Sequence, residues 1–73
     1  GDSMFPKLKD GQIIYIRQQQ TLEIGEIGIF MLNGDAYCKL LAKNCLISLN
    51  PKYSPIPVTE YDEFRVYGKV LET

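Results

Sequence analysis

Residues 27–44 read IGIFMLNGDAYCKLLAKN, and this stretch decides the fold. Ile27 to Leu32 is a continuous apolar run of strand length, and Ala36 to Lys43 is a second one. Between them stands Asn33-Gly34, the strongest short hairpin signal, because a type I′ turn needs φ > 0 at both central residues. The two runs therefore pair antiparallel. Side chains alternate between the faces of a strand, so the turn also decides which residues share a face. With the loop at Asn33-Gly34, or moved one step to Gly34-Asp35, Lys39 lies on the face that carries Phe30, Leu32, Tyr37 and Leu41.

Working outward, Lys43-Asn44 marks a second tight turn into a strand over residues 45–50. On the other side, GQIIYIR (11–17) is β-branched and aromatic and predicts a strand. The polar run QQQTLEIGE (18–26) predicts a loop. NPKYSPIP (50–57) holds three prolines in eight residues, so it is expected to be an extended surface connection rather than a central strand. EFRVYGKVLE (63–72) predicts a last strand, with a bulge or bend at Gly68. No segment sustains a helical period, and helix is limited to a turn around Pro6 to Asp10. The expected fold class is mainly β: a small, strongly bent antiparallel sheet or partial barrel.

At 73 residues the chain is one small domain. Chains of this size bury only about 60% of their unfolded surface, so the core is thin and self-association is physically plausible. A net charge of −1, with Lys and Arg scattered singly, gives no footprint for nucleic-acid binding by this segment. No apolar run is long enough to span a membrane. The chain begins with Gly1 rather than Met, and Gly1 is expected to be a cut end. Cys38 and Cys45 fall on neighbouring strands, too far apart along the ladder for a disulfide, and are expected to be reduced thiols, which favours the cytoplasm.

The chain contains no histidine. Ser-His-Asp and Cys-His catalysis are excluded within it, as are histidine metal sites; no metal or cofactor is expected. A serine in GDSMFP (residues 1–6), Ser3, could act as a nucleophile only with another base. Asp10 and Glu26 are undistinguished carboxylates. Lys39, in an apolar strand, is more distinctive, because burial disfavours the ammonium and a neutral lysine amine is a competent general base. Against this, a serine beside Gly and Asp is ordinarily a turn residue, and a lysine in an apolar strand ordinarily snorkels its head to water. Residue types and spacing leave these readings open.

The order of the pieces resembles the catalytic domain of the LexA-like, S24-type self-cleaving repressors. GDSMFPKLKDGQ is similar to that family's Gly-x-Ser-Met, Pro and Asp-Gly-Asp. IGEIGIFMLNGDAYCKLL resembles its hydrophobic strand, hairpin and Val-Lys-Arg-Leu. LISLNPKYSPIPV and FRVYGKVL resemble its Leu-x-Pro-x-Asn-x-x-Tyr-x-Pro-Ile and terminal Gly-x-Val segments. The resemblance covers essentially the whole chain. It implies Ser3 as nucleophile, Lys39 as neutral general base and the backbone N–H groups of Asp2 and Ser3 as oxyanion donors. Substrate contacts are expected from Met4, Phe30 and Tyr37. It further implies a homodimer, self-cleavage at a small-residue–Gly bond upstream of Gly1, and stimulation by a RecA–single-stranded DNA filament. Operator binding would belong to an upstream helix-turn-helix outside this chain.

The sequence departs from the pattern in places. It has no Ala-Gly or Cys-Gly pair, so residues 1–73 are expected to hold the peptidase and dimerisation domain without its cleavage loop. Leu40 follows the lysine where Arg is common, Gln12 replaces the second acid of Asp-Gly-Asp, and Ser48 replaces a proline. Two other readings remain: a membrane-associated, signal-peptidase-like serine protease, which shares a Ser-Met-x-Pro start and a later lysine, and a catalytically silent dimerisation module.

Overall fold

A computed structural model describes residues 2–5 and 7–71. Six strands form one antiparallel sheet: β1 Ile16–Gln18, β2 Ile27–Leu32, β3 Asp35–Ala42, β4 Cys45–Ile47, β5 Ile56–Pro57 and β6 Phe64–Val70. Their order across the sheet is β1-β6-β2-β3-β4-β5. The expected mainly β class is what forms, as an open sheet with β1 and β5 at its edges rather than a closed barrel.

The central hairpin has the expected geometry. Asn33 and Gly34 take φ values of 50° and 88°, and Phe30 lies opposite Tyr37 and Gly28 opposite Lys39. Lys39 thus shares a face with Phe30, Leu32, Tyr37 and Leu41. The turn is also pinned from outside: Asn33 Nδ2 donates to Asp62 Oδ1 (2.9 Å), while Glu63 N donates to Asn33 Oδ1 (2.9 Å). Asn44, with φ 60°, closes the second turn between β3 and β4.

Gly68 stands where β6 breaks register. Ile29 pairs with Gly68 but Phe30 pairs with Val66, which leaves Tyr67 as the bulged residue. A Cβ on Gly68 would come within 2.4 Å of Ile16 Cγ2 and 2.8 Å of the Arg17 carbonyl, so only glycine lets β1 approach here. Cys45 lies opposite Ala42, not Cys38, and both thiols are free.

Three expectations change. The strand expected over 11–17 pairs only over 16–18, and Ile13 is left 80% exposed. β-propensity expresses how well a side chain fits a half-buried pleated surface and does not itself supply a partner strand; Ile14 lines the groove and Tyr15 O accepts from Leu71 N, outside the paired ladder. The strand over 45–50 ends at Ile47, because the chain turns away towards the N-terminal segment. The proline-rich connection supplies a two-residue edge strand, with Leu46 opposite Ile56 and Cys45 opposite Pro57; an edge is where a strand tolerates proline. Pro6 and Glu72, parts of the expected N-terminal turn and last strand, lie outside the described residues, as does Gly1.

The core is small. Phe30, Leu32 and Leu46 are buried, with Leu22, Tyr37, Leu41, Ile56, Val58, Phe64 and Val66 packed around them. Phe30 stacks on Phe64 with centroids 5.5 Å apart. The accessible surface is 5265 Å², against about 4,600 Å² for a compact monomer of 8.3 kDa. Ile13, Tyr15, Ile24, Tyr61 and Tyr67 contribute to the excess, each more than half exposed.

Candidate active site

The lysine is placed by the hairpin. β4 pairs only with Leu40 to Ala42, so the earlier part of β3 has no neighbour on that side. There a groove of about 620 Å³ opens, lined by Ala36 to Lys39 on the strand and by Asp2, Ser3 and Met4 from the N-terminal segment. Lys39 is only 6% exposed. Burial pulls its amine below the ordinary lysine range, opposed more weakly by a thiolate at neighbouring Cys38. The Cys38 thiol is pushed up by the same burial and drawn down by Lys39.

The serine arrives from the other end of the chain. Met4 is 5% exposed and anchors the segment against the sheet. Phe5 N donates to Asp2 O (3.1 Å) and Leu8 N to Met4 O (3.0 Å), which curls residues 2–5 into a turn and draws Leu8 back to it. This presentation brings Ser3 Oγ into a hydrogen bond with Lys39 Nζ across a separation of 36 residues. The ammonium form of Lys39 donates in that contact; the neutral amine has a lone pair that can accept the hydroxyl proton.

The segment is tied down by the loop after β4. Asn50 N donates to Ser3 O (2.8 Å) and Asn50 Nδ2 to Asp2 O (3.0 Å). Tyr53 Oη donates to Asp2 Oδ1. That bond is the main reason the Asp2 carboxyl sits below its usual range, with smaller help from Lys52 and from its own backbone amide, against some desolvation. The same bond raises the Tyr53 hydroxyl.

Of the residues singled out by sequence, Ser3, Lys39, Asp2, Met4 and Tyr37 all meet at the groove. Phe30 does not. It is fully buried in the core and absent from the groove's lining, so the expected substrate contact by Phe30 is withdrawn. It shares Lys39's face but is covered by the hydrophobic side chains of the core, whereas Lys39 stands where β4 has ended. Asn50 and Tyr53 were legible only as parts of a motif. The Asn-Pro pair signals a turn, but nothing local announces a bond to a residue 48 positions away.

Residues 1–71 match the peptidase S24-like family. The chain belongs to that family. Curated relatives are LexA repressors. That of Oleidesulfovibrio alaskensis is 42% identical over 76 aligned positions covering 97% of this chain and 37% of its own length. That of Syntrophotalea carbinolica is 38% identical, covering 97% of this chain and 38% of its own. That of a Nocardioides species is 41% identical, covering 96% and 29%. The S24-like chain thus spans well under half the length of these repressors. Among its described residues, no helix is long and apolar enough to cross a membrane.

Proposed function

We propose that this S24-like chain is the Ser-Lys peptidase and dimerisation domain of a LexA-like repressor that cleaves itself. The observation that carries the reading is the hydrogen bond between Ser3 Oγ and a buried Lys39 Nζ at the floor of an open groove.

In the proposed reaction neutral Lys39 takes the Ser3 hydroxyl proton as Oγ attacks the scissile carbonyl carbon of the parent chain. Negative charge develops on the carbonyl oxygen, and the amides of Ser3 and Asp2 receive it; such donors contribute about 3 kcal/mol each. Collapse breaks the C–N bond, with the Lys39 ammonium returning the proton to the leaving amine. Water, deprotonated by Lys39, then hydrolyses the acyl-serine. Met4 and Tyr37 line the groove beside the dyad and are proposed to contact the bound segment. A scissile small-residue–Gly bond upstream of Gly1, stimulation by a RecA–single-stranded DNA filament and operator binding by an upstream domain belong to the same proposal. They rest on the likeness to LexA repressors, which also favours this reading over a signal-peptidase-like one.

The test is self-cleavage of the parent chain. Cleavage is expected to accelerate with pH as Lys39 loses its proton, and Ser3→Ala should abolish it while leaving the circular dichroism spectrum unchanged. A parent chain that stays intact through a day at pH about 10, where even an ordinary lysine is substantially neutral, sinks the proposal.

Self-association has its own support. The accessible surface exceeds that of a compact monomer, and large apolar side chains are exposed. The domain is expected to sediment as a dimer at tens of micromolar, and a strict monomer there would overturn the dimer.

A further inference from the structure

We infer that Asn50 and Tyr53 are positioning residues that hold the Asp2–Ser3 segment so that Ser3 Oγ stays on Lys39 Nζ; this rests on the Ser-Lys reading above. The segment they hold belongs to no strand. Besides the burial of Met4 and the contact with Lys39 itself, three bonds from one short loop tie it, among the described residues, to a distant part of the chain. Asn50 donates its backbone N–H to Ser3 O and its side-chain amide to Asp2 O, and Tyr53 donates its hydroxyl to the Asp2 carboxylate.

The loop is built to make those bonds from a fixed frame. Asn50 Oδ1 accepts from Lys52 N (3.1 Å), an Asx turn, and Asn50 O accepts from Tyr53 N (3.1 Å). One asparagine therefore shapes the loop with its oxygen and grips the nucleophile's strand of chain with its nitrogen. The two carbonyls it grips flank the Ser3 nitrogen and α-carbon, so the peptide plane that carries the Ser3 N–H is fixed from one side and the plane after it from the other. Tyr53 has a second effect. The Asp2 carboxylate is an anion next to the amides proposed to receive the oxyanion, and the Asp2 amide itself bonds that carboxylate. A tyrosine hydroxyl on Oδ1 satisfies the carboxylate from the far end of the loop and fixes where its charge lies.

A bond that acts only by aiming a nucleophile is read best with a reagent that needs no bound peptide. We therefore choose a fluorophosphonate, whose phosphorus forms a bond to Ser3 Oγ as fluoride leaves and the hydroxyl proton passes to Lys39. Intact mass gives the rate of adduct formation at each pH. The wild-type rate should rise with pH to a plateau, and Lys39→Ala should remove the rise. Asn50→Asp keeps the oxygen that accepts from Lys52 and deletes the donor to Asp2; it should lower the plateau about tenfold without moving the midpoint, the rate equivalent of one good hydrogen bond. Tyr53→Phe, which keeps the ring, should lower the plateau about fivefold, again with the midpoint in place.

Either variant reacting at the wild-type plateau overturns the inference. So does a slower reaction whose midpoint has climbed to that of a free lysine, since that is the signature of a loosened, hydrated site rather than a misaimed serine. Should Asn50→Asp fail to fold, Tyr53→Phe decides alone. A wild-type protein that does not react, or a Lys39→Ala variant that reacts as fast as wild type, overturns the dyad and takes this inference with it.

Discussion

Replacing Lys39 by methionine is expected to abolish self-cleavage of the parent chain and, near neutral pH, to make the domain more stable. The loss follows from the absence of any histidine and from the hydrogen bond between Ser3 Oγ and Lys39 Nζ. General-base assistance contributes about 10²–10⁴ in rate, so cleavage should fall about a thousandfold or more at every pH. Lys39→Arg should be equally inactive, because a guanidinium does not give up its proton in this range. The gain in stability has a sign that can be worked out. Burial holds the Lys39 amine below its ordinary value of 10.5, so between the lowered folded value and 10.5 the folded chain binds fewer protons than the unfolded one. Stability of the wild type therefore rises with pH across that window. The cost of the buried charge is fully present below the folded value and relieved above 10.5. Methionine fills the same space without a charge. Its melting temperature should exceed that of the wild type at pH 7. Thermal melts followed by circular dichroism should show the difference closing as pH approaches 10.5. A difference that does not change with pH would mean that the lysine is not titrating in a buried site.

What could be read in the sequence, and what could not, divides along the range of the interactions. Asn33-Gly34 forces a two-residue turn by local backbone chemistry, and the period of two then carries the face assignment out to Lys39 without any knowledge of the rest of the fold. That is why a lysine on an apolar face could be found from residues alone. Gly68 was equally legible, since a glycine inside a strand pattern marks a bulge or admits a neighbouring backbone, and here the bulge falls beside it at Tyr67 while Gly68 admits β1. The isoleucines and tyrosine of 11–15 carry strand propensity without specifying a partner, and the ladder with β6 reaches back only to Ile16. The pairing of Ile56 and Pro57 was hidden behind prolines that rule out a central strand but not an edge. The grip of Asn50 and Tyr53 on Asp2 and Ser3 has no local signature at all. It is specified by where β4 delivers the chain, which the sequence of the loop does not state.

Phe30→Ala should remove most of the domain's stability, and Phe30→Leu should leave its chemistry intact. Phe30 is fully buried, stacks on Phe64 and sits at the step where β2 and β6 change register. Truncating a buried phenylalanine to alanine costs about 3–5 kcal/mol. Small domains hold about 0.05–0.15 kcal/mol per residue, which for 73 residues is about 4–11 kcal/mol in all. The loss is thus comparable with the whole, and the melting temperature should fall by about 15 °C or more. Among the described residues, Leu32 and Leu46 are the buried partners of Phe30 in this core, which is therefore small beside the space that alanine would leave. Leucine restores most of the lost volume and should cost about 1–2 kcal/mol. The pair of variants also separates the two roles that a position on Lys39's face can have. A side chain that only supports the sheet lets Phe30→Leu react with a fluorophosphonate, and cleave the parent chain, at close to the wild-type rate wherever it is folded. A side chain that touched the substrate would instead change cleavage of the parent chain while sparing reaction with the small reagent. The burial of Phe30 beneath the sheet requires the first result, and the second would return it to the groove.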